Sequence, residues 1–215
     1  MLFLTEIIQF IMYMTVKYNI DDSHGISHSF DILHFVNEIY DDECLKNPKL
    51  KEQENIIFIS ALLHDMCDKK YMKEDNGMRE IQTFLEKLDS SSGSLKPLEV
   101  EMIQTIIQTM SYSKVKKQGF PDLEEYQTAY HIVRESDLLC AYDVDRSMIF
   151  HLYNETKNMD SAYECALDLF YNRVFKHEED NLILLDTTKR LIPELKAKSL
   201  FRLNSWKKII TRPKL

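Results

Sequence analysis

The chain of 215 residues has the length of one ordinary domain, and its hydrophobic fraction of 44% is enough to build a single core. The formal net charge of −8 disfavours general nucleic-acid binding, because most of the surface would repel a polyanion. We therefore expect one domain over residues 1–215 that has no general affinity for nucleic acid.

The pattern of apolar residues predicts an all-α fold. Only four glycines and five prolines occur, and long segments repeat apolar residues at helical spacing. We expect Ser27 to be the N-cap of the second helix. A Ser/Gly-rich stretch at 90–94 is predicted to form a loop, and Pro97 is predicted to begin the helix that follows this loop. The predicted helices cover residues 2–18, 28–43, 50–66, 74–88, 97–110, 123–142, 146–156, 160–176, 180–199 and 200–210.

The first predicted helix is apolar enough to raise the question of a signal or membrane segment. Glu6, Gln9 and Lys17 interrupt the apolar run, no basic region precedes it, and no small-residue cleavage site follows it. We interpret it as a helix that packs on the protein's own core, with burial in a homodimer as the alternative. No membrane partner is expected.

The four cysteines are scattered along the chain at residues 44, 67, 140 and 165. They lack the close-pair spacing of a zinc ribbon and give no sign of a disulfide framework. We expect free thiols in a reducing, cytoplasmic (intracellular) compartment. Cys67 lies between Asp65 and Asp68, and we interpret it as a bystander rather than a metal ligand.

A His-Asp pair follows directly after an apolar run. The run at 56–63 predicts a buried helix, and His64 and Asp65 come next, so both polar groups need partners in the interior. His28 and Asp137 each lie in another predicted helix. Two imidazoles and two carboxylates suit a borderline divalent ion and leave positions open for water and substrate. We predict one metal site built by three helices, with a metal-free polar cluster as the alternative.

The segments around these residues form an ordered set. They read SHGISH at 23–28, LLHDMCDKK at 62–70, MSYSK at 110–114 and IVRESD at 132–137. In order and spacing they resemble the motifs of the HD-domain metal-dependent phosphohydrolase superfamily, and most closely its small stand-alone (pyro)phosphohydrolases. The resemblance implies a helical HD-domain bundle with its core at about 20–150. The alternation of charged and apolar residues after about 157 predicts a C-terminal helical cap over 157–215.

The resemblance also implies an activity. It indicates a hydrolase that uses a divalent metal ion to cleave phosphoester or phosphoanhydride bonds in nucleotides. We expect Mn²⁺ first, with Mg²⁺, Co²⁺, Ni²⁺ or Fe²⁺ as alternatives. The leading version releases pyrophosphate from a nucleoside triphosphate. The alternatives are a nucleoside monophosphatase, a phosphodiesterase for cyclic or signalling nucleotides, or a non-catalytic module that binds a nucleotide or a protein partner.

The chain departs from the family pattern near the presumed ligands. Gly25 replaces an Asp, Asp31 stands where an Arg is often found, and the family's Asp-Arg-Leu-Asp run becomes Asp-Leu-Leu-Cys at 137–140. None of the four presumed ligands is lost. These departures bear on substrate choice, because such positions surround the ligands and the pocket.

Two residues are candidates for the chemistry itself. Asp68 lies three residues after Asp65, which would place both carboxylates on one side of a continuing helix. The resemblance implies that Asp68 orients or deprotonates the attacking water; the alternative is a surface carboxylate. His24 is a candidate general acid or a candidate hydrogen-bond donor to phosphate, with a structural role as the alternative.

Four basic residues are candidates for holding phosphate oxygens: Lys69, Lys70, Lys114 and Arg134. Each ammonium offers a compact charge with three donors. Lys114 belongs to a basic segment that is alternatively a solvated loop. Arg134 precedes Asp137 by three positions and His131 precedes it by six. Arg134 therefore lies closer to the helix face of Asp137 than His131 does.

Overall fold

The chain is helical in all its regular elements within residues 4–92, 95–156 and 158–212, the part that the computed structural model describes. The predicted all-α fold class is therefore confirmed. Short 3₁₀ turns at Pro48–Gln53, Glu124–Tyr126 and Val174–Lys176 and a π-helical turn at Leu152–Thr156 connect or extend the helices. The α-helices are α1 Leu4–Tyr18, α2 Ile26–Lys46, α3 Glu54–Leu63, α4 Glu74–Ser92, α5 Pro97–Thr109, α6 Tyr112–Gln118, α7 Gln127–Cys140, α8 Val144–His151, α9 Met159–Asn172 and α10 Asp186–Ile210.

The structure corrects several predicted boundaries. Gly25, not Ser27, is the N-cap of α2. The basic segment after residue 111, predicted as non-helical, forms α6, whose Val115 is buried. The predicted loop at 90–94 is part of α4 up to Ser92, whereas 93–94, like residues 2–3 of the first predicted helix, lie outside the described residues. Pro97 begins α5 as predicted.

The C-terminal helix α10 is continuous, so the predicted break between 199 and 200 is wrong. Ser199 is buried and its hydroxyl donates to the carbonyl of Tyr142 at 2.6 Å, and Leu203 packs into the core one turn later. This packing holds the helix together across the predicted break. Pro193 removes one helical N–H donor without ending α10.

Helix α3 lies at the centre of the bundle. All eight residues from Ile56 to Leu63 are buried, and α3 packs against α1, α2, α5 and α7. Complete burial of one leucine or isoleucine side chain contributes about 1.5–3 kcal/mol, so the position of α3 is strongly specified. The residues that follow Leu63 are consequently delivered to the interior of the bundle.

Helix α1 packs on the protein's own core. Ile7, Ile11 and Met14 are fully buried, and α1 contacts α2 and α3. Met12 and Val16 are exposed, and burial of this outer face in a homodimer stays a prediction. None of the described helices combines the length and apolar composition needed to cross a membrane.

The C-terminal helices join the same hydrophobic core as the rest of the chain. Helix α10 contacts α2, α7, α8 and α9. Its start is fixed by the buried carboxylate of Glu135 on α7, which accepts the backbone N–H groups of Leu184 at 2.9 Å and Leu185 at 3.1 Å. Glu135 is also paired with the Arg134 guanidinium at 3.1 Å. The C-terminal segment is therefore tied to α7 by a buried charge.

We predict that His177 makes the fold acid-sensitive. Its ring is fully buried beside Tyr112 and Tyr142, and neither ring nitrogen has a hydrogen-bond partner among the described residues. Burial, helped by the nearby charge of Arg173, lowers the pKa of His177 to about 4. In the unfolded chain the ring titrates near 6.5, so this contribution to stability is complete above pH 6.5 and is lost as pH falls toward 4.

His177→Phe removes the titrating group and should flatten this dependence. Urea unfolding at pH 7 and pH 4.5 should show a loss of free energy of unfolding that is about 2–3 kcal/mol smaller in the variant than in the wild type. His34→Phe, at an exposed position on α2, is the control and should keep the wild-type loss. An unchanged loss in His177→Phe would show that other groups cause the acid sensitivity.

Candidate metal centre

Three helices bring the four predicted ligands to one place. His28 lies in the first turn of α2, and Asp137 lies in the last turn of α7. His64 and Asp65 follow the end of α3 directly. Since α2, α3 and α7 all contact one another, the four side chains meet where these helices pack, with His28 buried and the Asp137 side chain 28% exposed.

The donor atoms lie at separations that suit coordination of one ion. The Nε2 atoms of His28 and His64 are 3.2 Å apart. His28 Nε2 is 3.3 Å from Asp65 Oδ2 and 3.5 Å from Asp137 Oδ1. His64 Nε2 is 3.3 Å from Asp65 Oδ1 and 3.6 Å from Asp137 Oδ1. Ligand atoms about 2.1 Å from one ion lie roughly 3.0–3.4 Å apart in octahedral or tetrahedral geometry.

Hydrogen bonding orients the imidazole of His64 for coordination. Its Nδ1 lies 2.7 Å from the carbonyl of Ala61, which can only accept, so Nδ1 carries the proton and Nε2 presents a lone pair to the cluster. His28 Nδ1 and Asp65 Oδ2 are buried and receive no well-directed hydrogen bond from the described residues. A metal ion would satisfy Asp65 Oδ2 and the lone pair on His64 Nε2, so the donor set fits a divalent cation.

The electrostatics of the cluster favour positive charge. Burial alone would lower the pKa of His64, but the Asp65 and Asp137 carboxylates outweigh it and raise that pKa well above its usual value. Burial would raise the pKa of both carboxyls, yet the two histidines hold those pKa values well below the usual range. A proton and a metal ion therefore compete for the same donors.

The helix before His64 ends earlier than predicted, but Asp65 and Asp68 still lie on the same side of the chain. The helix ends at Leu63, not at residue 66. Backbone bonds from Met66 N–H to Leu63 O at 3.0 Å and from Asp68 N–H to Asp65 O at 3.2 Å continue the chain as tight turns. Because these bonds also span three residues, Asp68 returns to the side of Asp65.

A second group of possible ligands adjoins the first. One ligand atom each from His24, Asp65 and Asp68 lies within 4.8 Å of the others, and Asp65 belongs to both groups. Asp68 Oδ1 accepts the backbone N–H of Lys70 at 2.9 Å, and its Oδ2 lies 3.1 Å from the Lys70 ammonium. The structure thus places His24, Asp68 and Lys70, all predicted site residues, beside the four ligands.

The ring of His24 is oriented by a hydrogen-bonded chain. Its Nδ1 lies 2.7 Å from the Ser23 hydroxyl and 3.0 Å from the Tyr71 hydroxyl, and both hydroxyls donate to the carboxylate of Asp21. Nδ1 therefore carries the proton, and Nε2 accepts from the Lys70 ammonium at 2.8 Å. Burial, the largest cause, lowers the pKa of His24 to about 4.

Three predicted phosphate-binding residues lie apart from this cluster. Lys69 is exposed, and Lys114 pairs with Glu74 on α4. Helix spacing puts Arg134 on the side of Asp137. Its side chain is buried instead, because the guanidinium pairs with the buried carboxylate of Glu135 at 3.1 Å. Among the four basic candidates, Lys70 is the one that contacts the cluster.

The sequence analysis missed Arg146. This residue lies in the first turn of α8, where the side chain of Asp143 caps the helix. Its Nε–H donates to the carbonyl of Ser23 at 2.5 Å, and its terminal nitrogen lies 4.0 Å from Asp65 Oδ2. No spacing in the sequence relates Arg146 to the ligands, because α8 reaches them only through packing.

The thiol of Cys67 takes no part in the donor set. It is buried and its Sγ is directed toward the carbonyl of His64 at 3.9 Å. Burial raises the pKa of the Cys67 thiol to about 12, so it stays protonated at neutral pH and is a poor ligand. All four cysteines are free.

A cavity of about 500 Å³ opens one helical turn away from the ligands. It lies between α2, the junction of α7 and α8, and α10. Asp31 and Cys140 line it, and they follow His28 and Asp137 by three residues. Both positions depart from the motif pattern given in the sequence analysis, so these two departures line the cavity and leave the donor set unchanged. A second cavity of about 420 Å³ lies along α4 near Tyr18, away from the donor cluster.

Comparison of the chain with protein-family models, with curated proteins and with solved structures found no match. The resemblance to HD-domain phosphohydrolases therefore rests on the motifs themselves. The fold and the donor geometry stand independently of it.

Gly77 allows α4 to approach the turn that carries Asp65 and Asp68. A Cβ added at Gly77 would lie 2.5 Å from Cys67 Cα and 2.9 Å from the carbonyl oxygen of Met66. Real atoms do not approach so closely, and the clash is with backbone that cannot move alone. Any larger residue would displace either α4 or the turn.

We predict that Gly77→Ala destabilises the protein and weakens metal binding together. Helix propensity alone would make the alanine variant about 1 kcal/mol more stable than the wild type. A loss of stability would therefore have to come from the clash with the turn. Thermal unfolding and Mn²⁺ titration by calorimetry test both effects. Gln82→Ala, on the exposed face of α4, should leave both unchanged. A stabilised Gly77→Ala variant would contradict the close approach.

Proposed function

We propose that this protein is a metal-dependent phosphohydrolase that acts on nucleotides and belongs to the HD-domain superfamily. The observation that carries the proposal is the convergence of His28, His64, Asp65 and Asp137, with donor atoms 3.2–3.6 Å apart. The cationic side chains of Lys70 and Arg146 lie beside this donor set. A metal site flanked by cations suits an anionic phosphoryl substrate.

The donor set favours a divalent ion of intermediate hardness. It consists of imidazole nitrogens and carboxylate oxygens, while the adjacent Cys67 thiol is protonated. We propose Mn²⁺, with Mg²⁺, Co²⁺, Ni²⁺ or Fe²⁺ as alternatives. When bound, such an ion polarises a phosphoryl oxygen and lowers the pKa of coordinated water.

The protein's own side chains have separate tasks in this proposal. Asp68 orients the attacking water and accepts its proton. Lys70 and Arg146 offset the negative charge that accumulates on the phosphoryl oxygens in the transition state. His24 holds its proton on Nδ1 and presents an accepting Nε2, an arrangement that favours a positioning role over proton donation to a leaving group.

The cavity beside the ligands supports a substrate larger than phosphate. Its volume of about 500 Å³ accommodates a nucleoside, and it begins one turn from His28 and Asp137. The leading reaction is hydrolysis of a nucleoside triphosphate to the monophosphate and pyrophosphate. A panel of nucleoside mono- and triphosphates and cyclic nucleotides, with products identified by mass, separates this reaction from the alternatives. Nucleotide binding without turnover would favour the non-catalytic module.

A cytoplasmic location and a homodimer complete the proposal. The four free thiols suit a reducing compartment. The exposed side chains of Met12 and Val16 on α1 provide an apolar surface for a second copy. Light scattering at several concentrations tests the dimer independently of the activity.

We predict that His64→Ala removes metal binding and turnover together. The variant lacks one nitrogen donor and leaves His28 as the one remaining histidine of the four-residue donor set. Titration with Mn²⁺, followed by elemental analysis, should show tight binding in the wild type and at least 10-fold weaker binding in the variant. The control is Asn37→Ala, at an exposed position on α2 that does not line the cavity. A wild-type protein that binds no divalent ion would exclude the proposed function.

Asp68→Asn should separate metal binding from chemistry. The amide keeps the size of the side chain but cannot accept a proton, so the metal should remain while the hydrolytic rate falls by about 10²- to 10⁴-fold. The measurements are metal content and single-turnover rate. Asp75→Asn, on an exposed part of α4, is the matched control. Nearly full activity of Asp68→Asn would remove Asp68 from the mechanism.

A further inference from the structure

Two groups of ligand atoms share the carboxylate of Asp65. The first contains His28 and His64, and the second contains His24 and Asp68. A carboxylate between two sets of donors is the arrangement expected where two cations lie side by side, as in two-metal hydrolytic sites. The second group therefore has the composition of a cation site in its own right.

The Lys70 ammonium lies within the second group. Its Nζ is 2.8 Å from His24 Nε2 and 3.1 Å from Asp68 Oδ2, so it uses two of the three donor residues. The same ammonium lies 5.1 Å from the centre of the Phe150 ring, which adds a cation–π contact. These contacts hold one positive charge between His24 and Asp68, the two residues that share the second group with Asp65.

The surroundings of His24 favour cation binding at Nε2. The Ser23 and Tyr71 hydroxyls fix the proton on Nδ1, and Asp21 orients both hydroxyls. Proteins commonly orient metal-binding histidines by such a partner on the other ring nitrogen. An ammonium and a metal ion would compete for the same lone pair, and their charges would repel at this distance.

We propose that the Lys70 ammonium is a built-in second cation, which occupies the position formed by His24, Asp65 and Asp68 and limits the site to one metal ion. The proposal rests on the proposed function, because it assumes an ion at the first group. An ammonium has three N–H donors. Two are directed to His24 and Asp68, and the third remains for a phosphoryl oxygen. Lys70 thus supplies the charge that a second metal supplies in two-metal sites.

The test is the number of ions bound. Lys70→Met removes the ammonium but keeps an unbranched side chain that can pack on Phe150. Titration with Mn²⁺, followed by elemental analysis, should give one ion per chain in the wild type and two in Lys70→Met. Two Mn²⁺ ions that share Asp65 should also show spin coupling by electron paramagnetic resonance. Lys73→Met, an exposed change in the same segment, should bind one ion.

Two further variants make the assignment specific. Lys70→Arg keeps the positive charge and should bind one ion, whereas Lys70→Met combined with Asp68→Asn loses a donor and should return from two ions to one. If Lys70→Met does not fold, Lys70→Gln takes its place with the same expected count.

Each outcome is decisive. Two ions in the wild type, or one ion in Lys70→Met, would overturn the role of Lys70 and leave the proposed metal-dependent activity standing. No ion in the wild type would remove the proposed function itself.

Discussion

The convergence of two imidazoles and two carboxylates in the interior is the constraint on which the rest of the structure depends. Taking such groups out of water costs several kcal/mol for each unpaired charge. The cost is offset by apolar burial nearby, above all the eight consecutive buried residues of α3, which end where His64 and Asp65 begin. The same burial prevents α3 from shifting, so His64 and Asp65 cannot relax toward solvent. The buried apolar side chains of α3 therefore fix the positions of the polar groups that follow it.

Charge around the centre is nearly balanced. The carboxylates of Asp65, Asp68 and Asp137 face the cations of Lys70 and Arg146, which leaves one excess negative charge that either a proton on His64 or a metal ion offsets. One divalent ion would reverse the sign and make the site attractive to an anionic substrate. A second ion would add a large positive excess in a confined space. This balance agrees with a site that has one exchangeable ion and one covalently attached cation.

The sequence predicted the four converging side chains and three of their neighbours, His24, Asp68 and Lys70, but not Arg146. His28, His64, Asp65 and Asp137 follow from helical periodicity and motif order, because apolar faces determine how helices pack. Helix spacing suggested Arg134 as well, yet a local partner, Glu135, competes for its guanidinium. Arg146 and Gly77 could not be recognised, since their roles depend on how α8 and α4 pack in three dimensions. The short α6 was missed because its few residues carry little periodicity, and α10 was divided because its pattern weakens near residue 199.

Glu135 connects the C-terminal segment to the candidate metal centre although it is not one of the four predicted ligands. It stands two residues before Asp137 on α7, so the two side chains leave the helix on different sides. Through Leu184 and Leu185 it holds the chain that leads into α10, and α10 in turn packs along α7. A displacement of the C-terminal helix would therefore shift the axis of the helix that carries Asp137. The C-terminal segment therefore stabilises the position of Asp137 relative to the other donors. Its removal would disturb the spacing of the donor atoms although all four residues remained in the chain.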